Sequence, residues 1–117
     1  MKTLRWSEIP VEQMKADLTR QAFHSERLTV ARLHLGKGSV VARHSHMNEQ
    51  VTLLEAGKLR FLFDDGERIL SAGEVMQIAP DEPHSVEALE DSVAIDLFAP
   101  TRADWISGDD AYLRGGR

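Results

Sequence analysis

From residue 28 onward, closely spaced turn formers cut the chain into short β-type segments that leave no room for a long helix. Segments at 28–35, 50–55, 58–63, 67–70, 74–78, 85–88 and 92–98 carry β-type composition. Between them stand Gly36-Lys37-Gly38, Ala56-Gly57, Asp65-Gly66, Ala72-Gly73 and the stretch from Pro80 to Pro83. Asp64-Asp65-Gly66-Glu67 lies between Leu59-x-Phe61-x-Phe63 and Ile69-Leu70, and reads as a hairpin, because Asp and Gly tolerate the positive φ of a tight turn. Many short strands without amphipathic helices between them predict an all-β sandwich or barrel. The one helical reading falls at 11–18, where Val11, Met14 and Leu18 are three and four apart and Pro10 suits a helix start. The chain therefore divides into an N-terminal segment at 1–27, a barrel at 28–100 and a C-terminal tail at 101–117. The N-terminal segment, helical or irregular, is expected to pack on the barrel or on a dimer partner. The tail, with Trp105, Ile106, Tyr112 and Leu113, is expected to cover a barrel edge or a second subunit.

Alternation assigns faces. In the run from Gln50 to Leu54, Gln50, Thr52 and Leu54 share one face, while Val51 and Leu53 share the other. At 92–98, Val93, Ile95 and Leu97 oppose Ala94, Asp96 and Phe98. Apolar groups on both faces imply burial on both sides, which a single barrel does not supply. A homodimer is expected for that reason.

Composition narrows the partners. The 117 residues fit one domain, and the net charge of −5 without a Lys/Arg run argues against nucleic acid or an anionic membrane surface. No stretch approaches the ~20 apolar residues of a membrane span. Met1 to Pro10 lacks the apolar run of a secretory signal, so a cytoplasmic protein is expected. The chain has no cysteine, so any metal must be held by nitrogen and oxygen.

The dense chemical signal is Gly38-x5-His44-x-His46-x3-Gln50-x6-Gly57, followed by Gly73-x5-Ala79-Pro80-Asp81-x2-His84. On a strand, His44 and His46 point to one face and can reach a single ion. Gln50 continues inward, while alternation turns Glu49 to the other face. Three imidazoles and one amide oxygen suit one divalent transition metal, whether nickel, zinc, iron, manganese or cobalt. His24 and His34 receive no role.

These two blocks resemble the paired motifs of the cupins, Gly-x5-His-x-His-x(3,4)-Glu-x6-Gly and Gly-x5-Pro-x-Gly-x2-His-x3-Asn. The interval between Gly57 and Gly73 (residues 58–72) has the short spacing of small single-domain cupins. The resemblance implies an RmlC-like jelly-roll barrel with the metal near its centre. Gln50 stands in the usual Glu position, which leaves the site one charge more positive than a carboxylate would. Ala79, Asp81 and Ala88 replace the second motif's Pro, Gly and Asn.

The run from Asp96 to Trp105, taken with the histidines and Gln50, is similar to the pectin-degradation cupins of the KdgF type. That resemblance implies linearisation of 4,5-unsaturated uronates to open-chain keto forms. It makes Asp96 catalytic and gives Phe98 and Arg102 to substrate binding. The residues themselves leave choices open. Asp96 is a buried proton-transfer group or an outward surface residue. Arg102 clamps a sugar carboxylate or pairs with Asp104. Phe98 is a substrate platform or core. An Fe(II)-dependent dioxygenase and a non-catalytic binding barrel are the competing functions.

Overall fold

In the computed structural model, which describes residues 1–114, the alternation becomes two antiparallel sheets. Residues 115–117, the end of the expected tail, lie outside the described residues. The strands are β1 (Glu12–Lys15), β2 (Leu18–His24), β3 (Thr29–Leu35), β4 (Val40–His44), β5 (Glu49–Ala56), β6 (Lys58–Phe63), β7 (Gly66–Ser71), β8 (Val75–Ile78), β9 (His84–Ala88) and β10 (Ser92–Ala99). Six strands form one sheet in the order β1-β2-β3-β10-β5-β8, and four form the other in the order β4-β9-β6-β7. From β3 onward the chain passes between the sheets at almost every connection, giving an all-β jelly roll.

The inward residues of both sheets build one core. β3 contributes Ala31, Leu33 and Leu35, β6 contributes Leu59 and Phe61, and Leu54, Leu70, Ile78 and Ala94 are among the others. Full burial of a large apolar side chain is worth about 1.5–3 kcal/mol. Gly57 is required by space as well as by its φ of +90°, since a Cβ there would lie 2.2 Å from Ser92 Oγ.

The helix expected at 11–18 does not form. Those residues make β1, a tight turn and the start of β2, with Glu12 opposite Arg20 and Lys15 opposite Leu18. Met14 and Leu18 are both buried, as the helical spacing requires, but a hairpin buries them equally well. A helix this short has little stability of its own, whereas β2 gains a full ladder along β3 from Leu18↔Leu35 to His24↔Thr29. The helical piece of the N-terminus is instead a single 3₁₀ turn at Trp6–Glu8.

After β10 the tail forms two short helices, α1 (Ala103–Ile106) and α2 (Ala111–Arg114). α2 packs on β4 and β1, the edge strands at one side of the two sheets. Asp110 anchors it, accepting from Arg20 Nη2 at 3.0 Å and Arg114 Nε at 2.9 Å. Among the described residues, no helix is long and apolar enough to cross a membrane.

Candidate metal centre

The motif residues meet at one end of the barrel. His44 ends β4 and His84 begins β9, and the two are register partners. His46 is not on a strand as expected; it lies in the connection from β4 to β5. That connection is pinned from two sides. The His46 carbonyl accepts from the Asp81 N–H at 2.7 Å, and Asn48 Nδ2 donates to the carbonyls of Pro100 and Thr101. Asp81 has a φ of 63° at the place where the resembled motif has glycine. Aspartate is one of the few residues that tolerates that region.

The three rings face one another, with centroids 4.4 Å apart for His44–His84, 5.4 Å for His46–His84 and 5.6 Å for His44–His46. One ring nitrogen from each lies within 4.8 Å of the others. Each Nδ1 meets a backbone carbonyl two residues away: His44 to Ala42 at 2.7 Å, His46 to Asn48 at 3.1 Å, His84 to Glu82 at 2.8 Å. A ring that donates through Nδ1 keeps a lone pair on Nε2. Burial keeps the rings neutral: His44 is pushed down to about 3 by burial, against the pull of the Ala42 carbonyl. Burial, then the Arg102 charge, lowers His46 to about 4, and burial also lowers His84.

Gln50 turns inward and is buried, whereas Glu49 points away and accepts from Gln77 Nε2 at 2.6 Å. Gln50 Oε1 lies 3.1 Å from His46 Nε2. With Nδ1 of that ring donating to Asn48, two acceptors face each other across this gap. Converging lone pairs on neutral, preoriented donors are what a divalent cation requires, and the nitrogen-and-oxygen set fits the metals expected from the sequence.

Beside this cluster is a cavity of about 50 Å³, room for about three waters. Asp96 lines it from β10 and accepts a 2.6 Å hydrogen bond from Thr52 Oγ1. Burial pushes the Asp96 carboxyl up to about 6, opposed by Thr52, Arg102 and Gln50. The Phe98 ring is buried, edge-on to His46 at 5.5 Å. Arg102 also lines the cavity but is only 1% exposed. Its Nε and Nη2 grip Asp104 at 2.9 and 2.7 Å, and Nη2 also reaches the Tyr112 hydroxyl. Its guanidinium carbon lies over the Phe98 ring at 4.7 Å and over the Trp105 ring at 4.4 Å. Of the two placements left open by the sequence, the Asp104 pairing is present.

Comparison with known proteins fits this arrangement. The Cupin domain family matches residues 31–98. The chain belongs to the cupin family. It is 31% identical over 102 residues to the pectin degradation protein KdgF of Dickeya dadantii, spanning 85% of this chain and 93% of that one. The solved structure of KdgF from a Halomonas species is similar at 26% identity and a TM-score of 0.77, covering 85% of this chain and 94% of that chain. An RmlC-like cupin from Shewanella frigidimarina shares the fold at 24% identity and a TM-score of 0.78, covering 85% and 90% of the two chains.

Three residues of this cupin's site escaped the sequence reading as functional. Thr52 was placed on the inward face but given no task, although its hydroxyl joins Gln50 to Asp96. Asn48, in the spacer between His46 and Gln50, ties the histidine loop to the chain after β10. Tyr112 stacks on His44 with centroids 4.3 Å apart and closes the cavity from the tail. Strand alternation was a usable signal for Thr52; none existed for Tyr112, because the tail has no periodicity.

Proposed function

We propose that this cupin is a metal-dependent enzyme that opens the ring of small 4,5-unsaturated uronates, giving the open-chain keto form. The observation that carries this reading is Asp96, a carboxyl raised to about 6 in a cavity beside three neutral imidazoles. A carboxyl poised near neutrality can both take and give a proton. The likeness to a pectin degradation protein supports a uronate as substrate.

His44, His46, His84 and Gln50 would hold one divalent metal, which supplies Lewis acidity for polarising substrate oxygens. In ring opening Asp96 takes the C1 hydroxyl proton as the C1 carbonyl forms, the bond from C1 to the ring oxygen breaks, and its electrons leave an enolate on the C5 oxygen. Asp96 then returns that proton to C4 as the enolate collapses to the C5 ketone, so the step is a net isomerisation. Phe98 forms an apolar wall beside His46. Arg102 spends Nε and Nη2 on Asp104 and Tyr112, so a sugar carboxylate would be met by its remaining Nη1. A sugar ring is larger than the present cavity, so Tyr112 and its helix must shift to admit one.

The test is loss of the conjugated enol-ether absorbance of a 4,5-unsaturated monouronate. Metal-loaded protein is expected to accelerate it, and chelator-treated protein is not. Equal rates with loaded, stripped and no protein would discard the uronate reading.

The outer face of the larger sheet supports a homodimer. There Leu53 pairs with Val75 on one side and Ile95 on the other, with Leu53 and Val75 well exposed. Sedimentation equilibrium at twice the 13.1 kDa chain mass is expected; a monomer at micromolar concentration contradicts it.

A further inference from the structure

One buried hydroxyl stands where the metal-ligand set meets the proposed acid. Thr52 is 1% exposed and lies opposite Asp96 in the β5–β10 ladder. Its Oγ1 receives Gln50 Nε2 at 2.9 Å and reaches Asp96 Oδ1 at 2.6 Å. The far end of the same amide, Gln50 Oε1, is the atom 3.1 Å from His46 Nε2.

We propose that Thr52 is a positioning residue whose hydroxyl decides which end of the Gln50 amide faces the histidines, and holds Asp96 in place. This rests on the metal reading above. A hydroxyl has one proton and two lone pairs. The proton goes to the Asp96 carboxylate, leaving only lone pairs for Gln50. The amide must therefore turn its NH₂ to Thr52 and its oxygen to the cluster. The flipped amide would give its NH₂ to His46 Nε2 and offer no oxygen to a cation. Its oxygen would then face the Thr52 lone pairs, two acceptors in contact within a buried site.

The same arithmetic accounts for glutamine where the resembled motif has glutamate. A carboxylate at residue 50 would compete with Asp96 for the single Thr52 proton. Two acids would then crowd one hydroxyl with no donor between them. Gln50 supplies the missing donor and keeps an oxygen for the metal.

The experiment is a Co(II) titration of metal-free wild type, Thr52→Val and Thr52→Ser, read by the visible bands of the bound ion and by chelator competition. Valine keeps the shape and removes the hydroxyl; serine keeps the hydroxyl. Thr52→Val is expected to bind Co(II) about 10–100-fold more weakly with altered bands, and Thr52→Ser to stay close to wild type. In uronate turnover, Thr52→Val is expected to lose kcat with little change in KM. A folded Thr52→Val with wild-type affinity and bands overturns the proposal, as does equal loss in Val and Ser. Nitrogen-15 NMR of metal-free wild type gives a second readout that needs no variant. The Gln50 side-chain NH₂ is expected to exchange slowly with solvent, and rapid exchange overturns the proposal. Wild type that binds no Co(II) defeats the metal reading and this one with it; Co(II) bound without uronate turnover defeats only the substrate assignment.

Discussion

The histidine end of the barrel and the tail that closes it are built by different means. At the histidine end, strand register and backbone carbonyls do the positioning. His44 faces His84 across a ladder, and each ring is tethered to a carbonyl two residues away. In the tail, long side chains do it: Asp110 reaches Arg20 across 90 residues, and Arg102 grips Asp104 and Tyr112. Ladder hydrogen bonds within a sheet resist distortion cooperatively, whereas the tail hangs on a few side-chain pairs, Arg20–Asp110 buried at both ends and Arg102–Asp104 at one, whose acids respond to pH and whose loss leaves a buried charge unpaired. The floor is thus held by many backbone hydrogen bonds and the roof by a few side-chain contacts. That division suits the proposed function, in which a cavity of about 50 Å³ would widen to admit a sugar acid.

Substitutions can pull the two regions apart. The largest effect is expected on the floor: Asp96→Asn should lower kcat by about 10²–10⁴-fold while metal content is unchanged. Metal analysis alongside initial rates checks this, and loss of metal in that variant would make Asp96 part of the ligand set. His84→Ala is expected to weaken metal binding by about 100-fold or more, measured by chelator competition, with the tail still protected from protease. Tail cleavage in metal-free His84→Ala would join the regions that the comparison separates.

Effects in the roof are expected to be smaller and to fall on stability. Tyr112→Phe removes the hydroxyl that meets Arg102 and Trp105. It should cost about 1–3 kcal/mol in denaturant melts, since it strands buried donors. Unchanged stability would mean that water replaces the hydroxyl. The smallest effect is acid loosening. Burial pushes Asp110 up, but Arg114 and Arg20 more than reverse it, leaving its carboxyl below the usual aspartate value. Burial likewise opposes, and Arg102 outweighs, at Asp104, which also stays low. A carboxylate lowered on folding stabilises above its unfolded value of about 3.9 and loses that contribution as pH falls through the folded value. Trp105 emission in a Trp6→Phe background should therefore shift as pH drops from about 5 toward 3, well before the barrel melts. Simultaneous loss of both would erase the distinction.

The same contrast decides what was legible in the sequence. His44, His46, Gln50 and His84 could be picked out because motif spacing is a local property, although the strand period invoked for His46 does not apply, since it lies in the β4–β5 connection. The inward turn of Gln50 and Thr52 followed from alternation, as did the outward turn of Glu49. The task of Thr52 did not, because it depends on Asp96 standing opposite in a strand 44 residues away. Tyr112 was expected over a barrel edge with the rest of the tail, but its stacking on His44 depends on tertiary contacts that no periodicity announces. The segment at 11–18 misled because Met14 and Leu18 satisfy a helix and a hairpin equally, and only the β2–β3 ladder chooses between them.

The most direct measurement is turnover of a 4,5-unsaturated monouronate in D₂O, followed by proton NMR. The account expects metal-loaded protein to place one deuterium on a single face of C4, at a rate that collapses in Asp96→Asn. Deuterium on both faces at the uncatalysed rate, with folded and metal-loaded protein, would contradict it.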